Sequence, residues 1–370
     1  MIDLATTSVK IIETMRQLAP PHLALEGDNI GLQTPCASRI DRVMLALEVD
    51  TRVVREAKRR GAGLIIAHHP VIYRKLERIT DTDISERVLV AAIRNEIGIF
   101  VAHTNLDCAP GGVNDVLAQR LELRNVRPLR VSHKEKTHKV AVFTPEAHVD
   151  KVRAAMCDAG AGRIGEYSYC SFETPGTGTF IPSKDAAPFS GTAGVLNKER
   201  ELRLEVLVPE GLLTNVLAAM KIAHPYEEVA YDVYELSNPG RSFGMGRVGE
   251  LPEAVLFKDY VDLVKRRLGV KRVRVVGRGQ AKIKRVAVCG GGGGDVITSV
   301  LAEKVDAFVT GEVNYHKMLV ADASGLYVVE AGHGATERIV MPVLAENLHR
   351  KIADVDIILS RVKTDRSDWV

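Results

Sequence analysis

The sequence predicts an α/β protein with a smaller α+β unit inserted into it. Strand and helix patterns alternate over residues 1–129 and again over residues 239–370, and this alternation is typical of a largely parallel sheet covered by helices. Between them, residues 130–238 hold two strand–helix–strand patterns around a stretch rich in glycine, proline and serine. The chain has 370 residues, more than one hydrophobic core usually serves, which also favours several domains.

In the first segment, apolar strand patterns alternate with amphipathic helix patterns. Strands are predicted at 42–49, 63–68 and 97–103, and helices at 9–19, 51–61, 85–96 and 112–121. Gly61 stands at the end of the second of these helices, a place where glycine often ends a helix. We therefore expect the first segment to form one half of an α/β body.

The inserted segment has its own order of elements. Strands are predicted at 138–145, 203–209 and 228–236, helices at 147–160 and 211–223, and a Gly/Pro/Ser-rich stretch at 173–194. This order predicts a small unit of β-α-β, β-α-β type.

The third segment returns to the α/β pattern. Strands are predicted at 284–289, 305–311 and 325–332, and helices at 261–269, 295–304 and 334–352, the last of which must accommodate Pro342. The run "CGGGGGD" (289–295) joins a strand to a helix. Its glycine N–H groups could bind a phosphate, or it could be a tight turn with Asp295 as the N-cap. It is not the G-x-x-x-x-G-K-[ST] sequence of a P-loop.

Composition narrows the classes of function. The net charge of +3 is too small to indicate nucleic acid or an anionic membrane as the partner. The five cysteines form no CxxC pair, which favours reduced thiols. The first residues lack the pattern of a signal peptide, and no run of about 18 apolar residues occurs. We expect a cytoplasmic protein.

Polar side chains that can bind metal follow three of the predicted strands. The first strand ends in His68 and His69, the second is followed by His103 and Asp107, and the third by His333 and Glu337. Ligands of open α/β sheets bind beyond the carboxyl ends of the strands, so we expect the three clusters on one rim. Such a set of imidazoles and carboxylates suits two divalent ions that share a bridging carboxylate or water.

Seven motifs then carry a resemblance over nearly the whole chain. They are "DNIGL" (28–32), "HHP" (68–70), "HTNLD" (103–107), "GGVND" (111–115), "CGGGGGD" (289–295), "TGEVNYH" (310–316) and "GHGATE" (332–337). In this order they resemble the GTP cyclohydrolase 1 type 2 / NGG-interacting-factor-like family of dinuclear metal-centre proteins. The middle segment resembles the PII/CutA-like, ferredoxin-like insert of the family's longer bacterial members.

The resemblance implies a fold, an assembly and a ligand set. It implies two facing α/β lobes that form one metal-binding body, and a homohexameric toroid. The implied metal ligands are His68, His69, Asp107, His333 and Glu337. Nitrogen and oxygen ligands of this kind permit zinc, iron, manganese, cobalt or nickel as the two ions.

Three positions depart from the pattern of the family. Gly27 stands where a tryptophan is common, Glu330 where an aspartate is common, and Gly334 where an aromatic residue is frequent. None of these positions is an implied ligand. The departures therefore weaken inferences about the substrate more than inferences about metal.

Two classes of function remain open. The first is a metal-dependent hydrolase acting on a nucleotide or a related phosphorylated heterocycle, with His316 moving protons and His103 either orienting a ligand or packing under the rim. For GTP, water would attack C8 of guanine. The second is a non-catalytic, oligomeric metal-binding regulator, whose inserted domain senses a ligand or whose body binds a partner protein.

Overall fold

The computed structural model describes residues 7–80, 82–277 and 281–365. The chain divides into two compact units. The first consists of Met1–His133 with Phe243–Val370, and the second of Lys134–Ser242. The predicted segment boundaries at 129/130 and 238/239 lie four residues before these divisions. In the described part of the chain, no helix is long and apolar enough to cross a membrane.

The first part of unit one alternates strands and helices, and its last strand extends one residue beyond the division at His133. Its strands are β1 (Gly31–Thr34), β2 (Arg42–Ala46), β3 (Leu64–Ala67), β4 (Gly98–Val101) and β5 (Arg124–Lys134). Its helices are α1 (Thr7–Leu18), α2 (Thr51–Arg59), α3 (Ile84–Arg94), α4 (Thr104–Cys108) and α5 (Val113–Arg120). Asp50 caps α2 through the N–H groups of Arg52 and Val53, which explains why this helix begins there.

The second unit has its own sheet and helices. Its elements are β6 (Thr137–Pro145), α6 (Val149–Asp158), β7 (Ser171–Phe180), β8 (Asn197–Pro209), α7 (Leu213–Ala223) and β9 (Tyr231–Leu236). The strands form an antiparallel sheet in the order β7-β8-β6-β9, so the chain follows the β-α-β-β-α-β order of a ferredoxin-like unit.

One strand of this unit was not predicted from the sequence. Part of the Gly/Pro/Ser-rich stretch at 173–194 lies in strand β7, which pairs with β8 along its whole length. Strand β7 lies at the edge of the sheet and pairs with a neighbour on one side only. A proline, which has no N–H to donate, is tolerated in such an edge strand, whereas an inner strand would lose a hydrogen bond.

The rest of unit one completes two sheets. Its strands are β10 (Ser242–Leu256), β11 (Arg274–Val276), β12 (Lys282–Gly292), β13 (Ala307–Glu312), β14 (Tyr327–Glu330) and β15 (Asp356–Leu359). Its helices are α8 (Phe257–Leu268), α9 (Ile297–Ala302), α10 (Tyr315–Ala323), α11 (His333–Glu337) and α12 (Val340–Lys351).

Both sheets of unit one are parallel at their centres. The five-stranded sheet has the order β1-β4-β3-β2-β15, with only β1 antiparallel to its neighbour. The six-stranded sheet has the order β11-β14-β13-β12-β10-β5, and its β12, β13 and β14 are mutually parallel. Every residue of β3 and of β4 is buried, as expected for parallel strands covered on both faces.

A single hydrophobic core joins the two sheets. It contains Leu45 and Ile66 of the five-stranded sheet together with Val288 and Val309 of the six-stranded sheet. Close packing of such a core holds the carboxyl ends of the two sheets in a defined relation to each other.

At two helix starts the structure differs from what the sequence suggested: one prediction was wrong, and one of two open alternatives is corrected. The predicted helix 334–352 is two helices, α11 and α12, with a break at Arg338 and Ile339. Pro342 consequently lies in the first turn of α12, where the N–H that proline lacks has no partner within the helix. Asp295 does not cap a helix: it lies in the 3₁₀ turn Gly293–Val296, and its carboxylate pairs with Lys317 Nζ at 2.8 Å.

The segment after β15 is tied to helix α2 by Glu56. This carboxylate is buried, and it accepts hydrogen bonds from Ser360 Oγ at 2.6 Å, from Arg361 N at 3.1 Å and from Arg60 Nη1 at 2.9 Å. Burial by itself would raise the pKa of Glu56, but the bonds from Ser360, Arg361 and Arg60 lower it below its ordinary value.

We predict that Glu56→Gln lowers the free energy of unfolding by about 1–3 kcal/mol at neutral pH, because buried donors lose a charged acceptor. A depressed carboxyl pKa stabilises the fold above the unfolded pKa of 4.5, and this contribution is lost as pH falls through the lower folded pKa. The difference in the free energy of unfolding between the variant and the wild type, measured by urea unfolding, should therefore become smaller at acidic pH. Glu346→Gln, at an exposed position of α12, is the control and should change little. An equal difference at all pH values would contradict the prediction.

Candidate metal centre

Adjacent histidines continue the backbone pairing of strand β3 beyond its last residue. His68 N donates to Ala46 O at 3.2 Å, and His69 N donates to Leu47 O at 2.9 Å. Successive residues of an extended chain point to opposite sides. His68 is 1% exposed, whereas the His69 side chain is 21% exposed. The two imidazoles thus reach different parts of the same site.

The remaining predicted ligands lie on two short helices. Asp107 is on α4, directly after strand β4, and it is buried. His333 and Glu337 are the first and last residues of α11, and His333 Nε2 lies 3.2 Å from Glu337 Oε1. They follow β14 of the six-stranded sheet. The expectation that all three clusters lie on the rim of one sheet is therefore wrong, since the third cluster comes from the second sheet.

Glu337 belongs to two groups of possible ligands. One group is His68, Asp107 and Glu337, and the other is His69, His333 and Glu337, with the ligand atoms of each group within 4.8 Å of one another. His68 Nε2 lies 3.6 Å from Asp107 Oδ1 and 3.7 Å from Glu337 Oε1, while His69 Nε2 lies 3.0 Å from Glu337 Oε2. The structure therefore brings the five predicted ligands together around one shared carboxylate.

The buried polar atoms of this cluster fit a metal. His68 Nε2, His69 Nε2, Asp107 Oδ1 and Glu337 Oε2 are buried and have no properly aligned hydrogen bond to any residue that the structure describes. Unpaired buried polar atoms are rare in folded proteins and call for a partner. Imidazole nitrogens and carboxylate oxygens that converge in this way are a donor set for divalent transition metals.

A second set of contacts orients the two adjacent imidazoles. His68 Nδ1 lies 2.9 Å from Ala102 O, and His69 Nδ1 lies 3.5 Å from Glu48 Oε1. Glu48 in turn accepts a hydrogen bond from Thr364 Oγ1. Both histidines therefore use Nδ1 for the protein and leave Nε2 for the centre of the cluster, as metal-binding histidines usually do.

The glycine run leaves room for the shared carboxylate. Gly291 has φ +62°, and a Cβ on it would overlap Glu337 Oε1 and lie 3.1 Å from His333 Nε2. Gly290 N donates to Asn114 Oδ1 at 2.9 Å, and Gly291 N donates to Thr336 Oγ1 at 3.0 Å. These two N–H groups are therefore not free to bind a phosphate, which favours the interpretation of the run as a tight turn, although without Asp295 as its N-cap.

Opposite charges shift the protonation of the cluster. Burial would raise the pKa of Glu337, but the close imidazoles of His333, His68 and His69 hold it well below its ordinary value. Burial would lower the pKa of His69, but Glu337 and Glu48 raise it to about 10. Burial raises the pKa of Asp107 to about 6. A metal that binds here must therefore displace protons from the histidines.

His103 lies beside the cluster and is held by a residue of the "DNIGL" motif. Its Nδ1 lies 2.8 Å from Asp28 Oδ1, and Asp28 also accepts hydrogen bonds from Thr104 N and Oγ1. His103, His68 and His69 have ligand atoms within 4.8 Å of one another. His103 is thus a neighbour of the presumed ligands with one nitrogen already engaged by a carboxylate.

His316 lies apart from these groups. It is exposed near the start of α10, and its ring contacts the ring of Tyr315 at 5.6 Å between centroids. None of the ligand groups formed by the described residues contains it. Its role in proton transfer stays a prediction.

Sequence reasoning assigned no role to Asp28, Glu48 or Thr364. Asp28 stands in a quoted motif, and Glu48 follows the end of strand β2, so both carried a signal that could have been used. Thr364 carried none. It reaches Glu48 only because strand β15 pairs with β2 at the edge of the sheet.

Comparison with known proteins shows the family and the fold of this chain. The family described as Duf34/NIF3 (NGG1p interacting factor 3) matches residues 6–366. The chain belongs to this family. The resemblance inferred from the seven motifs is therefore confirmed.

Bacterial members of the family match along almost the whole chain. The Halalkalibacterium halodurans protein named "GTP cyclohydrolase 1 type 2 homolog" is 41% identical over 360 residues, 96% of each chain. The Bacillus subtilis protein of the same name is 40% identical over 347 residues, 94% of this chain and 92% of the relative. The crystal structure of a Bacillus cereus protein related to NIF3 matches with a TM-score of 0.91 at 40% identity and 98% coverage of both chains.

We predict that Gly291→Ala abolishes metal binding while Gly292→Ala does not. The first change places a methyl group against Glu337 Oε1 at a positive φ, whereas nothing lies within 4 Å of a Cβ at Gly292. Metal content is measured by elemental analysis after loading and dialysis, with circular dichroism to check that each variant is folded. A folded Gly291→Ala protein with full metal content would contradict the role given to this glycine.

We also predict that metal affinity rises with pH between about pH 5.5 and 8. His69 has a pKa raised to about 10 and so holds a proton through this range, and each proton displaced makes affinity change about tenfold per pH unit. Competition with a chelator of known affinity measures the slope. Glu48→Gln removes one cause of the raised pKa and should lower the pH above which the affinity stops rising. A slope of zero in the wild type would contradict the prediction.

Proposed function

We propose that this protein is a dinuclear metal-dependent hydrolase that acts on a nucleotide or a related phosphorylated heterocycle. The observation that carries the proposal is the shared carboxylate: Glu337 lies in both ligand groups, each completed by its own residues. One side takes nitrogen and oxygen from His68 and Asp107, and the other takes two nitrogens from His69 and His333. A carboxylate between two such groups suits two divalent ions about 3.5–4 Å apart.

The ligand set leaves the identity of the metals open among zinc, iron, manganese, cobalt and nickel. Two such ions would acidify a water molecule and stabilise negative charge on a substrate oxygen. Each group offers three protein ligands, so an ion held there would have coordination positions left for water and substrate, as catalytic sites do and structural sites do not.

In this proposal His103 is the proton-transfer residue nearest the metals. Its Nδ1 is engaged by Asp28, so Nε2 is the nitrogen left to accept a proton from the attacking water and to return it to the leaving group. Asp28 fixes the orientation of the ring, as the third member of a nucleophile–base–orienting group does in other hydrolases. The more distant His316 would exchange protons with solvent.

The choice of substrate class rests on the family. The relatives described above are named GTP cyclohydrolase 1 type 2 homologs. For GTP, attack of water on C8 of guanine would open the imidazole ring. The homohexameric assembly and the likeness of the insert to PII and CutA proteins remain part of the proposal.

A non-catalytic metal-binding regulator is the second candidate. The observation that favours it is a cavity within the second compact unit, remote in sequence from the metal ligands. A regulator of this kind would bind metals without turning over a nucleotide.

We predict that the wild type binds about two metals per chain and that Glu337→Gln loses both, because both ligand groups use this carboxylate. His68→Ala and His69→Ala should each retain about one. Elemental analysis measures the content, and His349→Ala, an exposed histidine of α12, is the control. A wild type that holds much less than two metals after full loading would contradict the dinuclear centre.

We predict further that His103→Gln and Asp28→Asn both keep two metals but have a lower kcat. His103→Gln should lower kcat by about 10²–10⁴-fold, because the proton-transfer group is lost. Asp28→Asn should lower kcat less, because the imidazole is still present and only its orientation changes. The assay follows GTP first and then a panel of nucleotides with the metal-loaded protein, and His68→Ala/His69→Ala is the blank. If the loaded wild type turns over no nucleotide, the hydrolase proposal is wrong and the regulator is favoured.

A further inference from the structure

The second compact unit contains a half-open cavity to which no predicted metal ligand contributes. Its volume is about 720 Å³, and residues of β7, of the loop that follows β7 and of the turn before β9 line it. Sites for small molecules usually have volumes of about 300–1,000 Å³. All of its lining residues lie within Lys134–Ser242.

Four aromatic residues are among those that line the cavity: Phe143, Phe180, Phe189 and Tyr226. The Phe189 and Tyr226 rings lie 6.0 Å apart, centroid to centroid, at 42°. Phe189 is nevertheless 55% exposed. An aromatic ring half open to a cavity offers its face to a ligand.

Hydrogen bonds hold this wall in place. Tyr226 OH donates to Glu201 Oε1 at 2.9 Å, and Ala187 N donates to Glu227 Oε2 at 3.1 Å. The second bond ties the loop that carries Phe189 to the turn that carries Tyr226. Asn197 also bonds to Thr192 O and Val195 O at 2.9 Å, which closes the far end of this loop. The cavity is therefore preformed rather than a gap between loose segments.

The charge of the lining is negative. The lining residues include three with a carboxylate, Glu201, Glu227 and Glu228, and one with a guanidinium, Arg203. Arg203 Nη2 is already paired with Glu205 Oε1 at 2.9 Å, so little of its charge is left for a ligand. Carboxylates beside aromatic rings are the elements of a site for an organic cation, because both the negative charge and the ring faces attract it.

Two buried polar atoms at this cavity lack partners. Ser190 Oγ and Arg203 Nε are buried without a hydrogen bond to any described residue, and both residues line the cavity. The serine hydroxyl can accept a hydrogen bond from an ammonium N–H, and the N–H of Arg203, which an ammonium cannot satisfy, can donate to water in the cavity. Such unpaired groups inside an apolar pocket fix the orientation of a ligand.

We propose that this cavity binds an amphipathic organic cation: a protonated or quaternary amine carried by an apolar body. The amine lies toward Glu201 and Glu228, and the apolar body packs on Phe189 and Tyr226. The proposal does not depend on the hydrolase activity, since no metal ligand contributes to the cavity.

The test uses the full-length, metal-loaded protein and three cations: 2-phenylethylamine, hexylamine and tetraethylammonium. The neutral counterparts are 2-phenylethanol, hexanol and tetraethylmethane. Calorimetry and ligand-observed NMR measure binding. We expect at least one cation to bind about tenfold or more tightly than its neutral counterpart, in keeping with a carboxylate and a cation–π contact acting together. If no cation binds better than its counterpart, the proposal is wrong.

Variants locate the site. Glu228→Gln should weaken the cation about tenfold and leave the neutral counterpart unchanged, whereas Phe189→Ala should weaken both. Glu166→Gln, an exposed carboxylate of the same unit outside the cavity, is the matched control. His69→Ala should bind the cation normally, which separates this proposal from the metal centre. Unchanged cation binding in both Glu228→Gln and Phe189→Ala would overturn the proposal. If Phe189→Ala changes only the molecular mass measured by light scattering, the proposal is also wrong, and the surface binds a second copy of the chain.

Discussion

The contact between Glu337 and three histidines is the constraint on which the candidate site depends. This carboxylate is 3% exposed, and its two oxygens lie 3.0–3.7 Å from the Nε2 atoms of His69, His333 and His68. A buried carboxylate is costly unless positive groups surround it. Burial of the Glu337 carboxylate would by itself destabilise the fold, and divalent cations bound beside it would supply the positive charge that offsets this cost.

The two sheets of the first unit make this arrangement possible. The five-stranded sheet presents His68, His69 and Asp107, and the six-stranded sheet presents His333 and Glu337. Each sheet alone would hold an incomplete set of ligands. The common hydrophobic core determines the distance between them, so changes in that core would reach the site through the backbone.

The orientation of His69 depends on the last described residues of the chain. Glu56 holds Ser360 and Arg361, and a few residues later Thr364 donates to Glu48, which orients His69. The position of a metal ligand is thus linked to the packing of strand β15. Outer contacts of this kind often matter for metal affinity almost as much as the ligands do.

Much of the fold and the site could be predicted from the sequence. Hydrophobic periodicity located the strands that end near His68, His103 and Glu330, because burial on both faces leaves a continuous apolar run. The break before α12 and the strand inside 173–194 escaped, because periodicity over long windows does not show where a proline changes its role or where an edge strand tolerates polar residues. The cavity of the second unit could not be predicted from the sequence either, because the residues that line it come from segments far apart in the chain.

By itself, the sequence determined which side chains can bind metal and that they follow strands, because those facts depend on local order along the chain. Only the tertiary structure decided that Glu337 belongs to both ligand groups, that Asp28 holds His103 and that Thr364 holds Glu48. The physical reason is that these contacts join residues 75 and 316 positions apart, or belong to different sheets. Strand pairing and packing of the shared core bring these residues together, and neither can be inferred from the identity of the residues alone.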